Sequence, residues 1–211
     1  MKNTGRYNTQ SSDEGEYQTG SGNMVLKNLL HITLEVEMEQ IETRKFIELS
    51  QKMIFSLHQN KCLYESDIIQ MHHEWLKDVY GWAGHYRQVN MSKGGFTFAA
   101  AHLVPKLMQD FEKKILAKYT PCIYKSEDEI LNALAVVHVE LILIHPFREG
   151  NGRLARLISQ LMALQAQLPL LDFSIIAGEQ KERYFAAVRQ GLGHDYEPMK
   201  AIFSEVIAAS R

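Results

Sequence analysis

The chain has 211 residues, of which 45% are hydrophobic and 23% charged, and its formal net charge is −2. This length favours one domain with a substantial core. The near-neutral charge gives no electrostatic reason to expect nucleic acid or an anionic membrane as a partner. No apolar run is long enough to cross a bilayer, and the N-terminus lacks the apolar segment of a secretory signal.

Two cysteines, Cys62 and Cys122, are too few for a disulfide framework or a zinc ligand set. A reducing compartment is the simpler interpretation. We therefore predict a cytoplasmic protein, with export into a host cell as the open alternative.

Residues 1–23 are polar, and Gly, Ser, Thr, Asn and Gln dominate them. Such a segment has too few apolar side chains to build a core. We predict a flexible polar N-terminal arm over 1–23 and one folded domain over 24–211.

Two helices are predicted in the first half of that domain. Thr33 is the expected cap of the first helix, and Ser66 caps the second, which ends at Gly81. His72 and His73 are adjacent on the second helix and point to different sides, so they are not expected to share a metal ion. We interpret them as surface or core-edge histidines.

Residues 87–99 are the one stretch with strand character. Val89 and Met91 precede a polar turn containing two glycines, and Phe96 and Phe98 alternate after it. This pattern predicts a short hairpin. Alone it would be marginally stable, and its exposed edge could accept an extended segment of another protein.

The rest of the chain is predicted to be helical. An amphipathic helix spans 102–119 with Pro105 in its first turn, and Ser126 and Glu129 form a capping box for the next helix. Helices are also expected over 178–190 and 196–209, the last capped by Asp195. The predicted fold is all-α, with six to eight helices and one short β-hairpin.

Residues 145–156 carry the candidate chemistry. The apolar run 131–144 predicts a buried helix that ends at Pro146, and apolar residues at helical spacing predict a second helix beginning near Gly152. Gly150 and Gly152 flank Asn151, so the backbone there can approach a ligand closely. The segment is therefore predicted to be helix, tight polar loop, helix.

The start of the second helix is a predicted anion site, because its free N–H groups and dipole face the loop. Arg153 and Arg156 project from one side of its first turn and suit a polyphosphate. Glu149 would repel phosphate unless Mg²⁺ lay between them. His145 is the group with a near-neutral pKa that could accept a proton. The combination predicts a site for a magnesium nucleotide with a base beside it.

Residues 145–153 match the signature of the Fic family, His-Pro-Phe-x-(Asp/Glu)-Gly-Asn-(Gly/Lys)-Arg, at every position, and Arg156 matches the second arginine that often follows. The resemblance implies a Fic-type helical bundle that transfers AMP from ATP to a hydroxyl of a target protein. It makes His145 the base that deprotonates a Ser, Thr or Tyr. Pro146 and Phe147 would anchor the loop.

The resemblance also implies the nucleotide contacts. Glu149 would hold Mg²⁺ between the α- and β-phosphates. Gly150, Asn151 and Gly152 would form the anion hole, with Asn151 also contacting the α-phosphate. Arg153 and Arg156 would neutralise the departing pyrophosphate.

The resemblance also implies that the hairpin is the family's flap, which would clamp the target side chain over the active site. Its residues are Met91, Ser92, Lys93, Gly94, Gly95, Phe96, Thr97 and Phe98. The run 82–87 is similar to a Gly-Trp-Ala-Gly-x-Tyr-Arg run common in the family.

Regulation is predicted from a motif that the chain lacks. Fic enzymes are commonly held inactive by a helix with the pattern (Ser/Thr)-x-x-x-Glu-(Gly/Asn), and neither Ser12–Glu16 nor Thr33–Glu37 has the required last residue. Residues 17–30 resemble the lead-in of the toxin subgroup of the family. We therefore expect a small antitoxin-like protein to donate the inhibitory glutamate to Arg156.

Other functions stay open as alternatives. Relatives transfer phosphate, UMP or phosphocholine, although Gly150 and Gly152 argue against the phosphate-transferring Doc branch. A non-enzymatic binding module with a degenerate site conflicts with the intact His145, Glu149 and Asn151. A helical DNA-binding protein conflicts with the near-neutral charge. The toxin-like lead-in favours a bacterial type II topoisomerase as the target.

Overall fold

The computed structural model describes residues 8–9, 13–176, 178 and 180–211. The first helices in chain order are α1 (Glu35–Phe55), α2 (Glu65–Leu76), α3 (Val104–Phe111) and α4 (Ala117–Tyr119). A π-helical turn, Glu112–Leu116, joins α3 to α4. The remaining helices are α5 (Glu127–Ile144), α6 (Asn151–Gln165), α7 (Gln180–Gln190) and α8 (Glu197–Ala209). This confirms the predicted all-α fold.

Helix α5 lies at the centre of the core and contacts α3, α6, α7 and α8. It is surrounded on all sides, which explains why its sequence is a continuous apolar run rather than an amphipathic one. The predicted capping box is confirmed, because Ser126 Oγ accepts the Glu129 N–H at 3.2 Å and the Glu129 carboxylate accepts the Ser126 N–H at 3.3 Å.

Several predicted helix starts were wrong by one or two residues. Helix α1 follows Leu34 rather than Thr33. Helix α2 starts at Glu65, because the Asp67 carboxylate accepts the Tyr64 N–H at 2.9 Å, so Ser66 lies inside the helix. Helix α2 also ends at Leu76, before Gly81. For α2, the contact of the Asp67 carboxylate with the Tyr64 N–H fixes the start of the helix, and the suitability of Ser66 as a cap residue does not.

The predicted hairpin is confirmed as strands β2 (Met91–Lys93) and β3 (Phe96–Thr97), which pair antiparallel. Gly94 and Gly95 connect them with positive φ at both positions, as a type I′ turn requires. The hairpin is not isolated. A third strand, β1 (Asn8–Thr9), pairs antiparallel with β2 on its outer edge.

The predicted flexible arm lies partly outside the described residues, at 1–7 and 10–12. The described part makes regular contacts. Tyr17 forms a β-bridge with Leu26, the Gln18 N–H donates to the Val25 carbonyl at 2.8 Å, and Ser21 is buried. The boundary at residue 24 stays a prediction. In the described part of the chain, no helix is long and apolar enough to cross a membrane.

Candidate active site

The loop between α5 and α6 is held by its own backbone and by one asparagine. His145 takes the left-handed conformation (φ 53°) directly after α5, and its N–H donates to the Leu141 carbonyl at 3.0 Å. The Asn151 side chain accepts the Phe147 N–H at 2.9 Å and donates to the Phe147 carbonyl at 2.7 Å. Both polar groups of that side chain therefore shape the loop.

The middle of the loop is fixed to helix α2. The Phe147 ring is fully buried and stacks on His72, with centroids 3.8 Å apart. The Gly84 N–H donates to His72 Nδ1 at 2.8 Å, so His72 Nε2 carries the proton and donates to the Glu149 carbonyl at 3.2 Å. Burial lowers the pKa of His72 to about 3, which keeps it neutral. His72 is thus a buried support of the loop, so its prediction as a surface or core-edge residue was wrong.

His145 has the environment of a neutral base. It is 4% exposed, and its Nδ1 lies 3.2 Å from the Ile142 carbonyl. Since a carbonyl only accepts, Nδ1 carries the proton and Nε2 keeps the lone pair. The Phe98 ring stacks on the imidazole at 3.7 Å between centroids. Burial and, less strongly, the positive charges of Arg87 and Lys93 together lower the pKa of His145 to about 3, below the near-neutral value expected from the residue type.

Arg87 joins the motif loop to the hairpin. Its Nε donates to the His145 carbonyl at 2.6 Å, and its Nη1 donates to the Val89 carbonyl at 2.7 Å. Its Nη2 donates to the carbonyls of Ala99 and Ile144 at 2.5 and 3.2 Å. The guanidinium is buried, and each of its nitrogens donates to a backbone oxygen. One side chain therefore holds His145 and the residues on both sides of the hairpin.

The start of α6 is open to an anion by its geometry. Gly150 has φ 86°, and a Cβ there would lie 2.4 Å from the Trp75 ring, so the loop passes too close to Trp75 for any side chain. The first intrahelical bond is from Leu154 N to the Gly150 carbonyl at 3.0 Å. The N–H groups of 151–153 precede it and have no partner inside the helix.

Glu149 is the acidic residue of the loop. It is 7% exposed, and its Oε1 accepts the Gly150 N–H at 2.9 Å and lies 3.6 Å from Arg153 Nη2. Within the described residues, no group of three or more His, Cys, Asp or Glu is arranged to hold a metal ion. A single oriented carboxylate nevertheless fits Mg²⁺ that arrives with a nucleotide, since phosphate oxygens and water complete its shell.

The two motif arginines differ in their surroundings. Arg153 forms an ion pair with Glu42 of α1 at 2.5 Å and lies 4.5 Å from the centre of the Trp75 ring. Arg156 has no ion pair among the described residues, and its Nη1 lies 3.7 Å from where a Cβ on Gly152 would be. The Arg153 guanidinium is therefore paired with carboxylates. The Arg156 guanidinium lies near the start of α6 and has no carboxylate partner among the described residues.

Of the predicted site residues, the loop brings together His145, Glu149 and the start of α6, and the hairpin adds Phe98. Met91 is buried. Ser92, Lys93, Phe96 and Phe98 are half-buried, and Gly94, Gly95 and Thr97 are exposed.

Sequence reasoning missed Glu42 and assigned no role to Arg87. A signal for Glu42 existed, because it falls on the same helical face as the buried Met38 and Leu49. A carboxylate in that position needs a buried partner. For Arg87, the only signal in the sequence was the similarity of the run 82–87 to a family pattern.

Comparisons with known proteins agree with this arrangement. The Fic/DOC family model matches residues 62–163. The chain is 28% identical over 142 residues to the "Probable protein adenylyltransferase Fic" of Escherichia coli K12, covering 65% of this chain and 66% of the relative. It is 29% identical over 146 residues to the "Protein adenylyltransferase Fic" of Nematostella vectensis, covering 67% of this chain but 32% of that protein. The matched region is thus about a third of the animal relative.

Solved structures show the same fold. The BepC protein of Bartonella tribocorum, crystallised with bound AMPPNP, superposes with a TM-score of 0.73 at 22% identity, over 93% of this chain and 98% of that chain. An N-terminal Fic domain from Bartonella quintana, crystallised with bound ADP, gives a TM-score of 0.71 at 22% identity, over 90% of this chain and 92% of that chain. Residues 62–163, which contain the motif loop between α5 and α6, therefore form a Fic/DOC domain.

Proposed function

We propose that this protein is a protein adenylyltransferase that transfers AMP from Mg-ATP to a Ser, Thr or Tyr hydroxyl of a target protein. The observation that carries the proposal is the loop itself. It presents a neutral imidazole with a defined tautomer beside the open amides of a helix start and two arginines. Curated relatives named as adenylyltransferases support the choice of AMP as the transferred group.

His145 Nε2 accepts the proton of the target hydroxyl, while Nδ1 stays bonded to the Ile142 carbonyl. The hydroxyl oxygen attacks the α-phosphorus, a new P–O bond forms, and the bond to the pyrophosphate breaks. The backbone N–H groups at the start of α6 offset charge on the α-phosphate. Arg153 and Arg156 would stabilise the departing pyrophosphate.

Mg²⁺ would be held by Glu149 together with phosphate oxygens, and it would supply charge neutralisation between the phosphates. The carboxylate is already oriented by the Gly150 N–H. The flap residues 91–98 would hold the target segment over the base. We propose the bacterial cytoplasm as the compartment, where ATP is available and the two free cysteines stay reduced.

The function is tested with ATP labelled at the α- or the γ-phosphate, in a bacterial lysate with Mg²⁺. We expect α-label on a protein band, lost in His145→Ala and kept in His58→Ala, which removes an exposed histidine outside the site. Label from the γ-phosphate alone would identify a kinase instead, and label from UTP or a choline-containing nucleotide would identify the other family chemistries. Mass spectrometry of the labelled band tests the proposed topoisomerase target.

Inhibition in trans is proposed because Arg156 has no carboxylate partner among the described residues. A peptide helix with the inhibitory motif should bind near Arg156 and suppress labelling, as should the protein encoded by the neighbouring reading frame. A pull-down that finds neither complex nor inhibition would remove this part of the proposal.

A further inference from the structure

The outer edge of the flap is occupied by the chain's own N-terminal segment. Strand β1 pairs with β2, with Asn8 opposite Ser92 and Thr9 opposite Met91. The hairpin formed by β2 and β3 is only two to three residues long, and a two-stranded sheet of this size is marginal in water. Strand β1 therefore supplies a third strand to the flap.

The backbone directions show which pair carries the hydrogen bonds. The Phe98 N–H donates to the Met91 carbonyl at 3.1 Å, so the polar groups of Met91 face β3. These directions alternate along a strand, so the N–H and C=O of Ser92 face β1. Asn8 is therefore the hydrogen-bonded partner of Ser92, and the backbone groups of Thr9 face outward.

A second contact ties the same segment to the motif loop. The Glu14 carboxylate accepts the Gln88 N–H at 2.8 Å, at the root of the flap. The Glu14 carbonyl accepts Arg148 Nε at 2.9 Å, and the buried Arg148 is the variable residue of the motif. Strand β1 thus lies at the flap edge, and Glu14 contacts both the base of the flap and the loop that contains His145.

We propose that strand β1 is an internal competitor of a target that adds to the flap on its β2 side. A target strand on that side needs the same backbone groups of Ser92, and β2 has only one set facing that way. Strand β1 keeps the flap formed at rest and must leave when the target enters. The role of the flap in this inference rests on the proposed function. The pairing of β1 with β2 is independent of that function.

The test compares Asn8→Pro with Thr9→Pro. Proline at position 8 removes the N–H that faces Ser92, and proline at position 9 removes one that faces outward. The probe is a fluorescein-labelled peptide copy of residues 6–14, and its binding to the full-length variants is followed by fluorescence anisotropy. We expect Asn8→Pro to bind the peptide about tenfold more tightly than wild type or Thr9→Pro, since one or two net hydrogen bonds no longer compete.

Equal affinities in all three proteins, or no binding to Asn8→Pro, would overturn the inference. Hydrogen exchange gives a second measurement, in which the Ser92 amide exchanges faster in Asn8→Pro and not in Thr9→Pro. The two proposals fail separately. Absence of α-label transfer by wild type would remove the adenylyltransferase and leave the peptide result standing, whereas labelling with equal peptide affinities would remove only the competitor.

Discussion

The carboxylate of Glu42 pairs with the guanidinium of Arg153 and also accepts the Tyr80 hydroxyl at 2.7 Å. Glu42 is 3% exposed, so this pair is shielded from solvent. The first motif arginine therefore already has a buried carboxylate partner on α1. The inhibitory helix motif of the family acts on Arg156, so it does not account for the Glu42–Arg153 pair.

Replacing Glu42 with glutamine should strengthen ATP binding roughly tenfold, because a buried negative charge near the triphosphate site is removed while the amide can still accept from Tyr80. Calorimetric titration with ATP and Mg²⁺ measures the change. Glu37→Gln, on the exposed face of the same helix, is the matched control and should bind as wild type does. Weaker binding in Glu42→Gln would mean that Glu42 orients Arg153 rather than opposing the nucleotide.

The pH dependence of catalysis should reflect the Phe98 ring on His145. Because the buried imidazole has a pKa of about 3, wild-type kcat/KM should stay level as the pH falls below 6.5. Phe98→Ala hydrates the imidazole and raises its pKa toward 6.5, so its activity should fall on the acid side near that pH. Rates at pH 5–8 measure this. Phe96→Ala, which removes a flap ring that does not stack on His145, should keep the wild-type profile; identical profiles for both variants would contradict the prediction.

Three buried histidines should make the fold sensitive to acid. His72, His138 and His145 each have a pKa lowered to about 3 by burial, against about 6.5 in the unfolded chain. Between these values the unfolded state binds more protons, so stability is complete above pH 6.5 and falls as the pH drops. The free energy of unfolding should fall by about 1.4 kcal/mol per histidine for each pH unit below 6.5.

Urea unfolding at pH 5–8 measures that slope. His138→Gln should reduce it by about a third, since the other two buried histidines remain. His58→Ala removes an exposed histidine and should leave the slope unchanged. A slope that is the same in wild type and His138→Gln would show that other groups cause the acid sensitivity.

Arg87→Lys tests the anchor between the loop and the flap. A lysine ammonium cannot reach four carbonyls in the fork geometry of a guanidinium, so buried oxygens lose partners. We expect a loss of about 3 kcal/mol in stability and at least a tenfold loss in kcat. Arg183→Lys, at the exposed pair with Glu205, should cost less than about 1 kcal/mol. Thermal melts and the labelling assay measure both; a stable and active Arg87→Lys would disprove the anchor.

Local patterns in the sequence determined most of the fold. The Ser126 and Glu129 box, the continuous apolar run of α5 and the two glycines of the hairpin each depend on neighbours within a few residues, so they were predicted correctly. The motif loop was equally accessible, since its residues are consecutive. Helix starts near Thr33 and Ser66 were misplaced by one and two positions. At α2 the Asp67 carboxylate accepts the Tyr64 N–H ahead of Ser66, and at α1 the residue before the helix, Leu34, makes no side-chain cap bond.

The tertiary structure alone decided which distant residues meet the motif. Glu42 and Arg153 are separated by more than a hundred residues, and nothing local specifies that α1 and α6 pack side by side. The same holds for the segment around Asn8, whose polar sequence carries no sign that it pairs with the flap. The sequence determined the chemical groups of the site. Packing determined which of them are buried and neutralised and how the flap edge is covered, because burial and strand pairing are set by contacts between segments remote in the chain.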